Sequence, residues 1–180
     1  DKALKFVVQK LAESIKQPIS YNRIVKMVAS IGTKISTDTV IDYLGYMNES
    51  WFLIPISNHA SKFVEKASNK KYYFIDNGIL NLFLTDPNTS LLENMVAINL
   101  YKQYGDDVAF FNSNIEVDFY VPNQKIAIQV SYSLKDDDTK KREVRALDKI
   151  SSFVDVERRY IITMYEEEII ERDGHTIHVV

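Results

Sequence analysis

The sequence has no cysteine, which excludes disulfides, a cysteine nucleophile and thiolate zinc sites. No run of about 20 apolar residues occurs, so no helical membrane span is expected. The first residues, Asp1-Lys2-Ala3-Leu4, carry neither a signal peptide nor an initiating methionine, and excision from a longer cytoplasmic chain is the expectation. No Gly-x4-Gly-Lys-Ser/Thr phosphate loop is present, so nucleotide is not expected to bind to this part. The histidines, His59, His175 and His178, are too scattered for a motif. The acidic run Asp136 to Asp138 lacks the Asp-x-Asp-x-Asp-Gly pattern of a calcium loop and suits a solvated face or a helix start.

What is present suits one or two globular domains: 180 residues, 46% hydrophobic and 26% charged. A chain of this length buries roughly two-thirds of its unfolded surface and needs no metal merely to fold. The net charge of -3 hides a split. Residues 1 to 75 carry 11 Lys/Arg against 6 Asp/Glu, and residues 76 to 180 carry 11 against 19. The basic half favours a polyanion through its summed field, and the acidic half repels one unless a local basic patch or a bound cation changes the sign.

The first half shows three helical periods followed by two strand-like runs. Leu4, Val7, Val8, Leu11 and Ile15 recur at helical spacing, and Pro18 stops that helix. Ser20 is placed to cap a second helix, with Gly32 as its left-handed end, and Ser36 or Thr37 to cap a third. Trp51 to Ile56 and Lys71 to Ile75 are aromatic and β-branched enough for strands, with Pro55 expected near an edge or end. Three short helices and a hairpin make a winged-helix pattern. The third helix, Thr37 to Asn48, offers Asp38 and Asp42 but no Lys or Arg, which counts against base readout; the alternative is a connector or protein-docking unit. Trp51 is either an interface anchor or part of the core or wing packing.

In the second half, Asp76 or Asn77 suits an N-cap, and a helix is expected from Ser90 to Tyr104. Glu93 is odd there, because its i+3, i+4 and i+7 neighbours are Val96, Ala97 and Leu100. A carboxylate on an apolar strip needs a partner or a cation. Strands are expected at Asp107 to Asn112, Ile115 to Val121 and Lys125 to Tyr132. Alternation puts Val117, Phe119 and Val121 on one face and Glu116, Asp118 and Tyr120 on the other. Asp118, Gln129 and Ser131 then line one face of adjacent strands, with Glu93 approaching from the helix. A helix from Lys140 to Val154, a strand at Tyr160 to Thr163 and a closing hairpin around Asp173-Gly174 complete an α/β order, a sheet with helices packed on it.

That order resembles the restriction-endonuclease-like fold of the PD-(D/E)xK superfamily. The segments Tyr73-Phe74-Ile75-Asp76-Asn77-Gly78, Leu91-Leu92-Glu93-Asn94, Glu116-Val117-Asp118-Phe119, Ile128-Gln129-Val130 and Arg142-Glu143-Val144-Arg145-Ala146-Leu147 resemble the DUF4143-like, nuclease-like region that follows the ATPase module of prokaryotic AAA+ proteins. The resemblance implies a winged-helix-like domain over residues 1–68 and a restriction-endonuclease-like mixed sheet with flanking helices over 69–180. It further implies an upstream ATPase domain that holds the ATP, and DNA or another protein as partner. Glu93 and Asp118 match the family's helix acid and strand acid, which with Gln129 would hold magnesium for phosphodiester cleavage. The match breaks at Gln129-Val130-Ser131, where the family has Glu-x-Lys. Glutamine holds a divalent ion less strongly than a carboxylate, and Ser131 brings no positive charge to the phosphate. Lys125 lies about 13 Å back along the strand and Lys135 sits in an acidic loop, so neither replaces the missing lysine. A regulatory or docking module that has lost catalysis is the first expectation, and a magnesium-dependent, structure-selective DNA endonuclease is the alternative.

Overall fold

The computed structural model describes residues 2–61, 68–172 and 174–180. Helix α1 (Lys2–Glu13) buries Ala3, Val7 and Leu11, which recur every four residues and so share one face. A two-residue strand β1 (Ile19–Ser20) runs directly into α2 (Tyr21–Ala29), and the Ser20 hydroxyl accepts the Arg23 N–H. The chain leaves α2 through Gly32, whose φ of 76° is costly for any residue with a Cβ. Ser36 caps α3 (Thr37–Glu49) by accepting from the Thr39 N–H. Each cap satisfies an amide that the first helical turn leaves without a partner.

Strands β2 (Leu53–Asn58) and β3 (Asn69–Phe74) pair antiparallel. β2 begins later than its aromatic run suggests, because Trp51 adopts φ 57° in the turn after α3. Trp51 is 66% exposed, so of the expected core or wing packing the core is excluded. Pro55 lies inside β2 rather than at its end, opposite Tyr72. It is tolerated because the pairing of β2 with β4 involves only Ser57 and Asn58.

After α4 (Asn77–Asn81) and α5 (Asn88–Tyr104) come β4 (Ala109–Asn112), β5 (Glu116–Val121) and β6 (Ile126–Val130). Helix α6 (Asp137–Lys149) starts three residues earlier than its apolar period indicates, because the Asp136 carboxylate accepts the Thr139 N–H. The acidic run is thus a helix start. β7 (Arg158–Ile162), β8 (Glu168–Arg172) and β9 (His175–Val179) follow. The β8–β9 hairpin turns through Gly174, at φ 86°; Asp173, expected in that turn, lies outside the described residues.

The described strands form one open mixed sheet in the order β1-β3-β2-β4-β5-β6-β7-β9-β8. Parallel pairs join β2 to β4, β6 to β7 and β7 to β9. The β2–β4 junction is pinned by Asn58, whose side chain donates to the Asn112 carbonyl at 2.7 Å and accepts the Asn112 N–H at 2.9 Å. The division expected at 68/69 therefore falls between two paired strands, and the sheet continues past it. One apolar cluster combines α1, α2, α3 and α5 with Phe74, Phe110, Phe119, Val121 and Ile128. A second, under α6, holds Phe111, Val117, Tyr120, Ala127, Leu147 and Ile161. Helices thus cover both faces of the sheet. No helix among the described residues is long and apolar enough to cross a membrane.

The alternation expected for β5 fails at one point. Ala109 pairs with Tyr120 and Phe111 with Val117, so β5 carries one extra residue at Asp118–Phe119. This bulge sends Val117 to the α6 cluster while Phe119 and Val121 join the other.

Candidate functional site

Two adjacent residues of α5 tie the helix to the sheet. Asn94, fully buried, accepts the Phe74 N–H and donates to the Phe74 carbonyl, both at 2.8 Å. Its amide also donates to Asn77 Oδ1 at 2.7 Å, and Asn77 donates to the Leu91 carbonyl. The side chain acts as one more strand partner for the end of β3, leaving its buried polar atoms satisfied. Beside it, Asp76 caps α4 through the Ile79 N–H. A Cβ on Gly78 would come within 2.9 Å of that capping oxygen, so the glycine is there for space. With α5 held this way, Glu93 points inward, 3% exposed, and accepts the Tyr73 hydroxyl at 2.8 Å.

Lys71 on β3 faces Glu93. Its side chain is fully buried, and its Nζ lies 3.6 Å from Glu93 Oε1, 3.4 Å from Glu116 Oε1 and 3.6 Å from Asp118 Oδ1. The Phe110 ring lies 5.5 Å from the same nitrogen. None of these approaches closes to a hydrogen bond. Burial alone would lower the lysine pKa, but the Glu93, Asp118 and Glu116 charges together hold it above its ordinary value. Burial first, and the Asp118 charge second, push Glu93 up to about 7 against the pull of Lys71 and the Tyr73 hydroxyl. Tyr73 itself is pushed well up by burial and by Glu93, which keeps it a neutral donor.

The bulge places Asp118 in this group, and the strands part beside it. The β5–β6 ladder ends at Phe119 and Ile128. Beyond that pair, side chains replace the ladder. Gln129 accepts the Asp118 N–H at 2.9 Å and donates to the Glu116 carbonyl at 3.1 Å. Asp118 Oδ2 accepts the Val130 N–H at 2.9 Å. Ser131, at the position where the resembled family has lysine, donates to the Ser133 carbonyl.

A cavity of about 640 Å³ opens at this point, between the α1–β1 link and α5 on one side and α6 on the other. Its acidic floor is Glu93, Glu116, Asp118 and Glu143, and its lining also includes Lys16, Arg142, Arg145 and Lys149. The three α6 cations are spaced i, i+3, i+7 and so form one stripe. Arg142 is bonded to Glu143 at 2.6 Å, and burial raises the Glu143 pKa.

The donor set does not fit a magnesium ion. Magnesium takes oxygen ligands at about 2.0–2.1 Å in octahedral array. Here an ammonium stands where the carboxylates converge, and both polar atoms of the Gln129 amide serve the β5 backbone. Among the described residues, no group of three or more His, Cys, Asp or Glu is arranged to hold a metal.

The structure thus brings Glu93 and Asp118 to one point and puts Gln129 beside them as a bridge between strands. The lysine at their centre comes from β3, a position the sequence reading passed over. Lys125 is held by Asp155 and Glu157 at 2.8 Å, and neither it nor Lys135 lines the cavity. A signal existed: Lys71 is a charge inside the run Lys71-Tyr72-Tyr73-Phe74, all four residues of which are buried. A strand covered on both faces leaves no solvent side for a charge.

No family model and no solved structure matches this chain. It is similar to the uncharacterized protein MJ1544 of Methanocaldococcus jannaschii, with 29% identity over 155 residues. That match covers 82% of this chain and 34% of the relative, so the chain spans about a third of the relative's length.

Proposed function

We propose that this chain is a docking module built on a nuclease-like fold that has lost catalysis. It would form the C-terminal part of an AAA+ ATPase and bind the phosphate backbone of nucleic acid across the cavity mouth. The observation that carries the docking is the rim. Lys16 and the α6 stripe of Arg142, Arg145 and Lys149 line one opening, so four cations gather at one place in a chain of net charge -3, above the carboxylates of the floor, which supports phosphate contact there. Loss of catalysis is supported by Gln129 and Ser131, whose polar groups serve the strands and the following loop. The restriction-endonuclease-like and winged-helix-like assignments, and the upstream ATPase, rest on the motif resemblance; the greater length of the archaeal relative is compatible with them.

Binding of duplex and branched DNA, followed by anisotropy at several salt concentrations, tests this reading. Arg145→Glu and Lys149→Glu are expected to weaken binding and to make its salt dependence shallower by about one counterion per charge removed. No cleavage is expected in magnesium or manganese. Cleavage that Asp118→Ala abolishes would replace this reading by the endonuclease one, and unchanged binding in the rim variants would remove the cavity mouth as the docking site.

A further inference from the structure

The two ends of the sheet are finished differently. β1, at one end, has two residues, while β8, at the other, has five and pairs with β9 without a register shift. Among the described residues, no further strand pairs with the outer edge of β8. Its burial is also low, with Ile169 65% exposed. An open strand edge offers a row of backbone donors and acceptors to another strand, and proteins guard it by brevity, proline, a bulge, a covering element or charge. The five residues of β8 (Glu-Ile-Ile-Glu-Arg) contain only the last of these, and the charges are of both signs.

We propose that β8 pairs antiparallel with β8 of a second copy of this chain, about a twofold axis at Ile170, joining the two sheets into one. Residues directly opposite each other in such a pair lie on the same face of the sheet, so the register moves only in steps of two. Centred on Ile170, the pairing sets Glu168 opposite Arg172 of the second copy at both ends, with the two Ile170 side chains facing each other between them. A shift one way sets Glu171 opposite itself, and a shift the other way sets it opposite Glu167. Opposite charges across a strand pair stabilise it and like charges weaken it, so the sequence of β8 selects the Ile170 register. Contacts within each copy extend the match. Glu168 is paired to Lys140 and Arg172 to Asp148, both on α6, so each end of the joined strands carries Lys140, Glu168, Arg172 and Asp148 in alternating sign. Ile170 packs on the apolar cluster under α6, which places it on the same face as these charges. A twofold contact of this kind uses the same surface on both copies and closes at two. The inference rests on β8 and holds whether or not the cavity mouth binds nucleic acid.

Sedimentation velocity of the 180-residue chain, from micromolar to hundreds of micromolar, tests it. The unsubstituted chain is expected to show a mass that rises with concentration toward twice 20.8 kDa. Glu168→Arg and Arg172→Glu each set like charges opposite one another at both ends and are expected to remain single over that range. An equimolar mixture of the two variants sets opposite signs across the junction again and is expected to restore the pair, as is the double variant Glu168→Arg/Arg172→Glu. Both positions are exposed, and circular dichroism checks that the variants keep the fold. An unsubstituted chain that stays single throughout overturns the proposal and leaves the edge to a different polypeptide. So does a pair that survives either single substitution unchanged, which places the contact elsewhere. Folded single variants whose mixture stays single overturn it as well.

Discussion

Lys71 and Glu93 place a charged group in the interior, and each is held there by the other. Removing one member of a buried ionic group leaves the rest uncompensated. Lys71→Met is therefore expected to cost about 3–5 kcal/mol, measured by urea denaturation. Glu93 adds a pH dependence. Its folded pKa, near 7, lies above the ordinary carboxylate value, so between those two values the folded chain binds more protons than the unfolded one. Stability should fall as pH rises from about 4.5 to 7 and level off above that. Glu93→Gln should flatten the fall, because glutamine still accepts the Tyr73 hydroxyl and does not ionise. An unchanged pH profile in Glu93→Gln would assign the fall to another group. Glu93 was legible as a buried acid because helical spacing surrounds it with Val96, Ala97 and Leu100. Its partner was not, because nothing local to Lys71 says which residues will stand across from it.

Elements meet here through side chains that imitate backbone. Asn94 adds a pairing to the end of β3, and Gln129 replaces a lost rung between β5 and β6. Asn94→Leu strands both the N–H and the carbonyl of Phe74, with an expected loss of about 2 kcal/mol or more, again read from urea denaturation. Gln129→Glu introduces the acid that the resembled superfamily has at this position but keeps only the acceptor half of the rung and adds a fourth carboxylate to the group. It is expected to destabilise the chain without creating magnesium-dependent cleavage, as denaturation and a nuclease assay would show. The cap at Ser20 could be placed from the sequence, and those at Ser36 and Asp76 to within one residue, because a cap is a relation between residues three apart. The bulge at Asp118–Phe119 could not. An extra residue is defined only against the partner strand, and strict alternation would have kept Val117 and Phe119 on one face.

Across the whole molecule, the apolar cluster under α5 draws on α1, α2 and α3 as well as on β4, β5 and β6. β2 joins β4 directly through Ser57 and Asn58. A fragment of residues 69–180 would expose Phe74, Phe110 and Phe119 to water and lose the strands on both sides of β3. It is expected not to fold cooperatively, whereas the 180-residue chain should unfold in a single transition by far-ultraviolet circular dichroism and tyrosine absorbance. A stable, cooperatively folding fragment would show that the 68/69 division separates two independent units.

By itself the sequence determined the helical periods, the caps, the order of strands and helices, and the presence of an acid on an apolar strip. Each of these rests on residues a few positions apart, where spacing alone sets which side chains meet. Only the tertiary structure decided that Lys71, Glu93, Glu116 and Asp118 share one point, that β5 carries an extra residue, and that the sheet continues from β2 into β4. Those facts depend on the twist and register of strands brought together from distant parts of the chain, which no local spacing contains.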